Sequence, residues 1–455
     1  VKNAFKTLSY YRMSDMAIIL AMWMMHHLTN GNILFSQLPH ASINGMHTNN
    51  HGMVNFIAVM LVLAAMIKSA QFPFTTWLPR AMEGPTSSSA IFYGSLSVHI
   101  GVFLLLRTYP FWQGMLWVKV LIISIGALTA IVATLIGRVQ PTVKTQIAYS
   151  SAAQIGIIFM EVALGLHWLA LVHFAGNAFL RTYQLLVSPS VLNYLVHHQY
   201  FHYHPPQSQK VSKLGATLYM LGIKEWNLDG FMRKLLWAPF KWLGNQVQVF
   251  KSVLVTIAWL LTGIGAMAVA LYKPLLLQSY AGPLSITFLA IALSFILFSF
   301  SHRGSAFTAW VYLLLAHLFI VAGITIQTLH INTIEFIFYA TGIIAAFLLG
   351  WYCLQKINRI NNDILLDKYH GYVYEQKTTA LLFLIAAVGL IGFPITAAFI
   401  GIDVFFTYVH SNDIILITLL ALCFIFIELA AIRIFLRIFY GLHHKLDHPV
   451  AFRSS

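Results

Sequence analysis

The chain has 455 residues, of which 59% are hydrophobic and 9% charged, with a formal net charge of +14 and a mean hydropathy of +0.76. A soluble domain covers itself with about 25% charged residues, so this composition excludes a soluble globule and describes a polytopic membrane body. Two cysteines, Cys353 and Cys423, are too few to ligate an iron–sulfur cluster or build a disulfide framework, and no cofactor is expected to be bound by this chain.

A bilayer is crossed by about 20 apolar residues. In chain order, such runs predict an all-α fold with about twelve transmembrane helices, near 11–28, 53–72, 87–106, 115–137, 146–164, 167–189, 252–272, 283–300, 306–326, 335–354, 379–400 and 414–436. With the N-terminus in the cytoplasm, 22 of the 27 lysines and arginines fall on that side, two on the other, and three (Lys68, Lys119 and Arg181) within spans. This positive-inside asymmetry predicts a multi-pass protein of the inner (cytoplasmic) membrane with both termini cytoplasmic. It also accounts for the net charge, so the expected partner surface is the lipid bilayer and not nucleic acid.

The longest interruption runs from 190 to 251. Within it, Asn227–Gly244 mixes Phe, Leu and Trp with Lys and Arg, as in a helix lying in the cytoplasmic interface or a short helix packed on the protein. His197, His198, His202 and His204 are candidate zinc or copper ligands. They lack an accompanying Cys, and although His198 and His202 are four apart they are not on a defined helix; a His- and aromatic-rich interfacial loop is the alternative.

Ionisable side chains within spans cost about 2.5–3.5 kcal/mol on insertion scales and tend to face a bundle interior or a wet cavity. Here they are Lys68, His99, Lys119, Glu161, His173, Arg181, His317, Asp403 and Glu428. Lys119 and Glu428 can equally be helix ends snorkelling to water; together the group predicts a polar axis inside the membrane. Two spans carry marks of broken helices, Pro73 after Lys68 and Gly392-Phe393-Pro394 before Asp403. A proline frees a carbonyl one turn earlier, and interrupted helices in two halves of a transporter mark ion sites; plain proline kinks are the alternative.

The run from Lys68 through Phe72-Pro73 and Trp77-Leu78-Pro79 to Thr86, with Ser89-Ala90, resembles the signature of the antiporter-like proton-conducting subunits of NADH:quinone oxidoreductase (complex I), chain 5 or subunit L type. Val143-Lys144, Ala148-Tyr149-Ser150, Gln154-Ile155-Gly156 and His173 through Arg181 resemble the following blocks. The resemblance implies an inverted-repeat bundle with broken helices, in which protons pass along side chains linked by water. By position, Lys68 is similar to the broken-helix lysine, Lys144 to a lysine opening a central helix, and His173 to a central histidine. Arg181 stands where the family has a lysine. Since a guanidinium keeps its proton, Arg181 is read as a fixed charge. Tyr93 replaces a common family histidine, with His99 on the same span as a substitute, and Ile402-Asp403 replaces a Lys-Asp/Glu pair at the second break.

The resemblance further implies that residues 1–190 and 355–455 are antiporter-like core, 191–251 an insert and 252–354 additional transmembrane helices, with family helices preceding residue 1 and no lateral arm after 437. One of those preceding helices would carry the family's glutamate partner of Lys68. The expected proton pathway is Lys68, His99, Lys144, His173, Arg181 and Asp403. The implied partners are other membrane and peripheral subunits of a complex I-like assembly; an inorganic-carbon uptake complex or an Mrp-type sodium/proton antiporter is the alternative. No dinucleotide loop or nucleophile elbow is evident, so any catalysis, such as NADH oxidation, would belong to the assembly.

Overall fold

The computed structural model describes residues 1–47, 50–201, 212–247, 252–272, 280–327 and 333–441. They form helices α1 (Lys2–Thr29), α2 (Leu38–His47), α3 (His51–Lys68), α4 (Trp77–Ala81), α5 (Thr86–Ser89), α6 (Ile100–Trp112), α7 (Leu116–Gly137), α8 (Val143–Ala163), α9 (His167–Phe201), α10 (Lys213–Ile223), α11 (Leu228–Met232) and α12 (Ala238–Gln246). Then follow α13 (Val253–Tyr272), α14 (Ala281–Ser301), α15 (Ala306–Gln327), α16 (Thr333–Asn361), α17 (Lys377–Ile391), α18 (Ala397–Tyr408) and α19 (Ile414–Phe439). Among the described residues the extended structure is limited to one isolated bridge, Ser305 to Leu365.

Among the described residues eight helices, counting Thr86–Trp112 as one, are long and apolar enough to cross a bilayer. Three more, α1, α8 and α9, have 28, 21 and 35 residues but carry the ionisable and amide groups of the site described below. The expected span 379–400 is divided between α17 and α18. The chain is thus an all-α polytopic membrane protein.

Several boundaries depart from expectation. The second span stops at Lys68, four residues early, because Ala70 takes a left-handed φ of 51°. α2 occupies a stretch read as a connection. α9 runs to Phe201, past the expected end at 189: Pro189 removes one helical donor, and the helix-compatible residues beyond it continue the helix.

The chain divides into two compact units, Lys2–Leu236 and the residues from Trp237 onward, with Val1 grouped with the latter. In the first, α7 crosses α8 at paired glycines. A Cβ on Gly126 would lie 2.4 Å from the Gly156 carbonyl, and one on Gly156 2.5 Å from that of Gly126. Small residues of this kind let membrane helices approach closely. Similarly, Gly101 of α6 lies against the Ala65 carbonyl of α3 at 2.2 Å from its would-be Cβ.

The expected amphipathic segment begins in this unit, packed on protein. Glu225, Trp226 and Asn227 take left-handed φ of 50°, 54° and 50°, turning α10 into α11. Arg80 donates to Glu225 at 3.0 Å, and Lys6 pairs with Asp229 at 2.5 Å.

In the second unit, α15 is buried on nearly every side among α13, α14, α16 and α19, as its uniformly apolar sequence dictates. α12 packs on α14 through Gly244, and the Phe240 ring lies tilted against Phe426 of α19, centroids 4.7 Å apart. α17 ends at Gly392, whose φ of 74° closes the helix with amide bonds to Gly389 and Val388. Such left-handed caps favour glycine. α18 resumes after Thr396.

Candidate functional site

The site lies within the first unit. Lys68 ends α3, where the chain leaves the helix, and its Nζ lies 2.7 Å from Asp15 Oδ1 of α1 and 4.4 Å from the Tyr11 ring centroid. Tyr11 and Asp15 are one helical turn apart and so share a face. Tyr11 Oη is 2.6 Å from Ser97 Oγ. Ser97 opens the short 3-10 turn Ser97–His99 that links a π-helical turn, Ala90–Leu96, to α6. Tyr93, on that π turn, rests against Trp77 at 6.3 Å, lining the wall instead of joining the polar chain.

His99 is fully buried. Its Nδ1 lies 3.0 Å from the Ser95 carbonyl, which can only accept, so Nδ1 carries the hydrogen and Nε2 accepts from Asn177 Nδ2 at 3.0 Å. Asn177 Oδ1 in turn accepts from Arg181 Nε at 3.1 Å, and Arg181 donates to Gln184 Oε1 at 2.7 Å and to the Ser150 carbonyl at 3.4 Å.

His173, Asn177 and Arg181 are spaced by four and form one stripe of α9, facing Ser150, Gln154 and Glu161 of the antiparallel α8. His173 Nδ1 is 2.8 Å from Glu161 Oε1, and Nε2 is 2.9 Å from Gln154 Oε1. The carboxylate accepts, and the amide can turn either its oxygen or its nitrogen toward Nε2. The ring can therefore gain or lose one proton without losing a partner.

Asp15–Lys68–Tyr11–Ser97–His99–Asn177–Arg181, with His173 one turn along α9, thus forms a nearly continuous polar line through apolar helices. Around the loop that follows Lys68, the buried oxygens Ser69 Oγ, Gln71 Oε1, Thr75 Oγ1 and Ser151 Oγ have no hydrogen-bond partner in the protein, as does Glu161 Oε2 on the α8–α9 stripe.

Of the expected pathway residues, Lys68, His99, His173 and Arg181 belong to this line. Lys144 does not: on the first turn of α8, its Nζ donates to the Gly84 carbonyl at 2.7 Å and the Met82 carbonyl at 3.4 Å. Pro73 lies in the loop after α3, Gly392 and Pro394 lie in the α17–α18 break, and Asp403 is on the second turn of α18, in the other unit. Lys119 sits one turn into α7, 6.0 Å from the Tyr109 ring, at a helix end.

His197 and His198 are exposed at the end of α9 beside Phe201 and Tyr194, and His202 and His204 lie outside the described residues. Among the described residues no group of three metal-capable side chains gathers.

Asp15 escaped the sequence reading, as did the roles of Tyr11, Ser97 and Gln154. The available signal for Asp15 was a carboxylate inside an apolar run, one turn from a tyrosine. The partner of Lys68, expected as a glutamate on a helix before residue 1, is here an aspartate on α1.

Residues 1–220 match the family described as NADH:quinone oxidoreductase/Mrp antiporter, TM. The chain is similar to NADH-quinone oxidoreductase subunit L of Rhodobacter capsulatus, 33% identical over 201 residues covering 43% of this chain and 28% of that protein. It is similar to NADH-ubiquinone oxidoreductase chain 5 of Rhizopus stolonifer, 35% identical over 196 residues, 42% and 29% of the two chains. NAD(P)H-quinone oxidoreductase subunit 5 of Physcomitrium patens chloroplasts is 34% identical over 185 residues, 40% and 25% of the two chains. The matched stretch spans under a third of each of these relatives.

Proposed function

We propose that the chain, whose residues 1–220 match the family described as NADH:quinone oxidoreductase/Mrp antiporter, TM, is a proton-translocating membrane subunit of a complex I-like assembly. The observation that carries this reading is Lys68, held against Asp15 at 2.7 Å where α3 breaks. A lysine ammonium inside a membrane protein forms only beside a compensating charge, and here that charge comes from a neighbouring helix.

In this reading a proton loads Lys68 opposite Asp15 and passes through the region of Tyr11 and Ser97 to His99 and His173. The partnerless oxygens of Ser69, Gln71, Thr75 and Ser151 suit bound water, which satisfies such buried groups and bridges the gaps between side chains. His173 exchanges the proton between Glu161 and Gln154. Arg181 stays charged and, through Asn177, biases His99 against carrying a second positive charge.

The driving energy comes from partner subunits, and the chain sits in the inner membrane with both termini cytoplasmic. Lys68→Ala in the assembled complex should abolish proton-coupled activity without loss of assembly, and retention of full coupling defeats the reading. Mass-spectrometric identification of co-purifying subunits separates a quinone oxidoreductase from a carbon-uptake or antiporter assembly.

A further inference from the structure

The residues from Trp237 onward hold a second buried titratable pair, on helices outside the matched 1–220. His317, near the middle of α15, is 2% exposed, and its Nδ1 lies 2.6 Å from the hydroxyl of Tyr339 on α16, itself 1% exposed. The Tyr339 ring packs on Phe405 of α18 at 4.7 Å and covers Gly401, where an added Cβ would meet Tyr339 Cβ at 2.4 Å.

His317 Nε2 is buried and closes no hydrogen bond; the backbone polar group beside it is that of Leu390, in the last turn of α17. In an unbroken helix the Leu390 carbonyl would be taken by the amide four residues on. That residue is Pro394, which has none. The proline that breaks the helix therefore leaves a carbonyl free next to a buried imidazole.

Cys423 of α19 interacts with Tyr339 and points its thiol to the Leu289 carbonyl at 3.8 Å.

We propose that His317 and Tyr339 form a proton relay at the break between α17 and α18, the second unit's counterpart to the line through Lys68. The inference rests on the proton-conducting function proposed above. It assigns the exchangeable group at this break to α15, where Ile402 of α18 offers none.

In the tautomer that suits these neighbours, Nε2 carries hydrogen on the side of the Leu390 carbonyl, which can only accept, and Nδ1 accepts from the tyrosine hydroxyl. A proton arriving at the Tyr339 oxygen displaces the hydroxyl proton onto Nδ1. The imidazolium then releases its Nε2 proton to a water molecule hydrogen-bonded at the free Leu390 carbonyl, which leaves as hydronium. One proton has moved, no charge remains, and the reverse tautomer returns by ring rotation or a second hop. A hard metal ion does not fit this set, since it requires a shell of several oxygens and one ligand here is an imidazole.

The test uses the full chain, purified from its own membrane with its co-purifying subunits and reconstituted in liposomes. Proton flux under a potassium diffusion potential is read by a pH dye trapped inside. His317→Gln and Tyr339→Phe are each expected to lower flux at least tenfold, and the double variant no further than either single, because both interrupt one relay. Losses that multiply in the double variant indicate two independent packing defects and overturn the relay.

Tyr339→Phe keeps the ring that packs on Phe405, so it decides the matter if His317→Gln fails to fold. Wild-type flux in Tyr339→Phe alongside a Lys68→Ala variant that conducts nothing overturns the relay and leaves the proposed function standing. Wild-type flux no greater than that of Lys68→Ala overturns both.

Discussion

Replacing Asp15 with asparagine removes one charge while keeping the shape of the side chain against Lys68. The pair is close, at 2.7 Å, with Lys68 16% and Asp15 46% exposed in the bare protein. Exposed pairs contribute up to about 1 kcal/mol, whereas stranding one member of a fully buried pair costs about 3–5 kcal/mol. The half-buried position of Asp15 sets the penalty between these, near 2 kcal/mol. If forming charged Lys68 is part of the rate-limiting passage, 2 kcal/mol on the barrier slows it about thirtyfold. Asp15→Glu, which keeps the charge, should lie within about tenfold of wild type. Flux in reconstituted liposomes, at matched protein content and thermal stability, is the measurement. Asp15→Asn conducting within threefold of wild type, beside an inactive Lys68→Ala, refutes the claim that Asp15 is the working counter-charge.

Asn177→Leu should strand His99 Nε2 and Arg181 Nε, both partnered by this amide in the buried site. With about 1–3 kcal/mol for each unsatisfied buried group, the detergent-solubilised protein should melt several degrees lower and conduct at least tenfold less; unchanged melting and flux would show that the bridge is idle. Gly126→Val forces side-chain atoms onto the Gly156 carbonyl, already 2.4 Å from a would-be Cβ, so the α7–α8 crossing must open and yield of folded protein should collapse, while Gly114→Val, with nothing within 4 Å, should be tolerated.

In the loop between α16 and α17, burial acts to raise the Asp363 carboxyl, but hydrogen bonds from Lys368 at 2.6 Å and the Leu365 amide at 3.2 Å outweigh it and hold the group below its ordinary 3.8. A depressed folded value stabilises the loop above the unfolded pKa, and that stabilisation is lost as pH falls through the folded value. Hydrogen exchange over 362–376 should therefore accelerate only below about pH 4, and Asp363→Asn should remove the acid step.

The broken helices were legible because proline and glycine act locally. Pro73 and Pro394 lack an amide donor wherever they sit, and Gly392 could take its φ of 74° without a side-chain clash. The stripe on α9 was also legible, since a spacing of four places His173, Asn177 and Arg181 on one face of any helix. The end of α9 was not. Pro189 argued for a stop, but a proline removes a single donor, and the residues after it keep the helix going to Phe201. The insert was read as a free interfacial helix or a packed one; the pairing of Glu225 with Arg80 and Asp229 with Lys6 shows its first part packed.

By itself the sequence determined the solvent and the helical class, because apolar runs require a bilayer, and it marked the few ionisable groups inside them, Lys68, His99, His173 and Arg181 among them, as candidates for the polar machinery because such groups are costly there. Only the tertiary structure decided which group answers which. Asp15 meets Lys68 from a helix more than fifty positions earlier, and Gln154 and Glu161 close on His173 across α8 and α9. His317 finds Tyr339 and the Leu390 carbonyl from three separate helices. Hydrogen bonds and ion pairs act over about 3 Å, and nothing in residue spacing fixes distances that short between helices until they are packed.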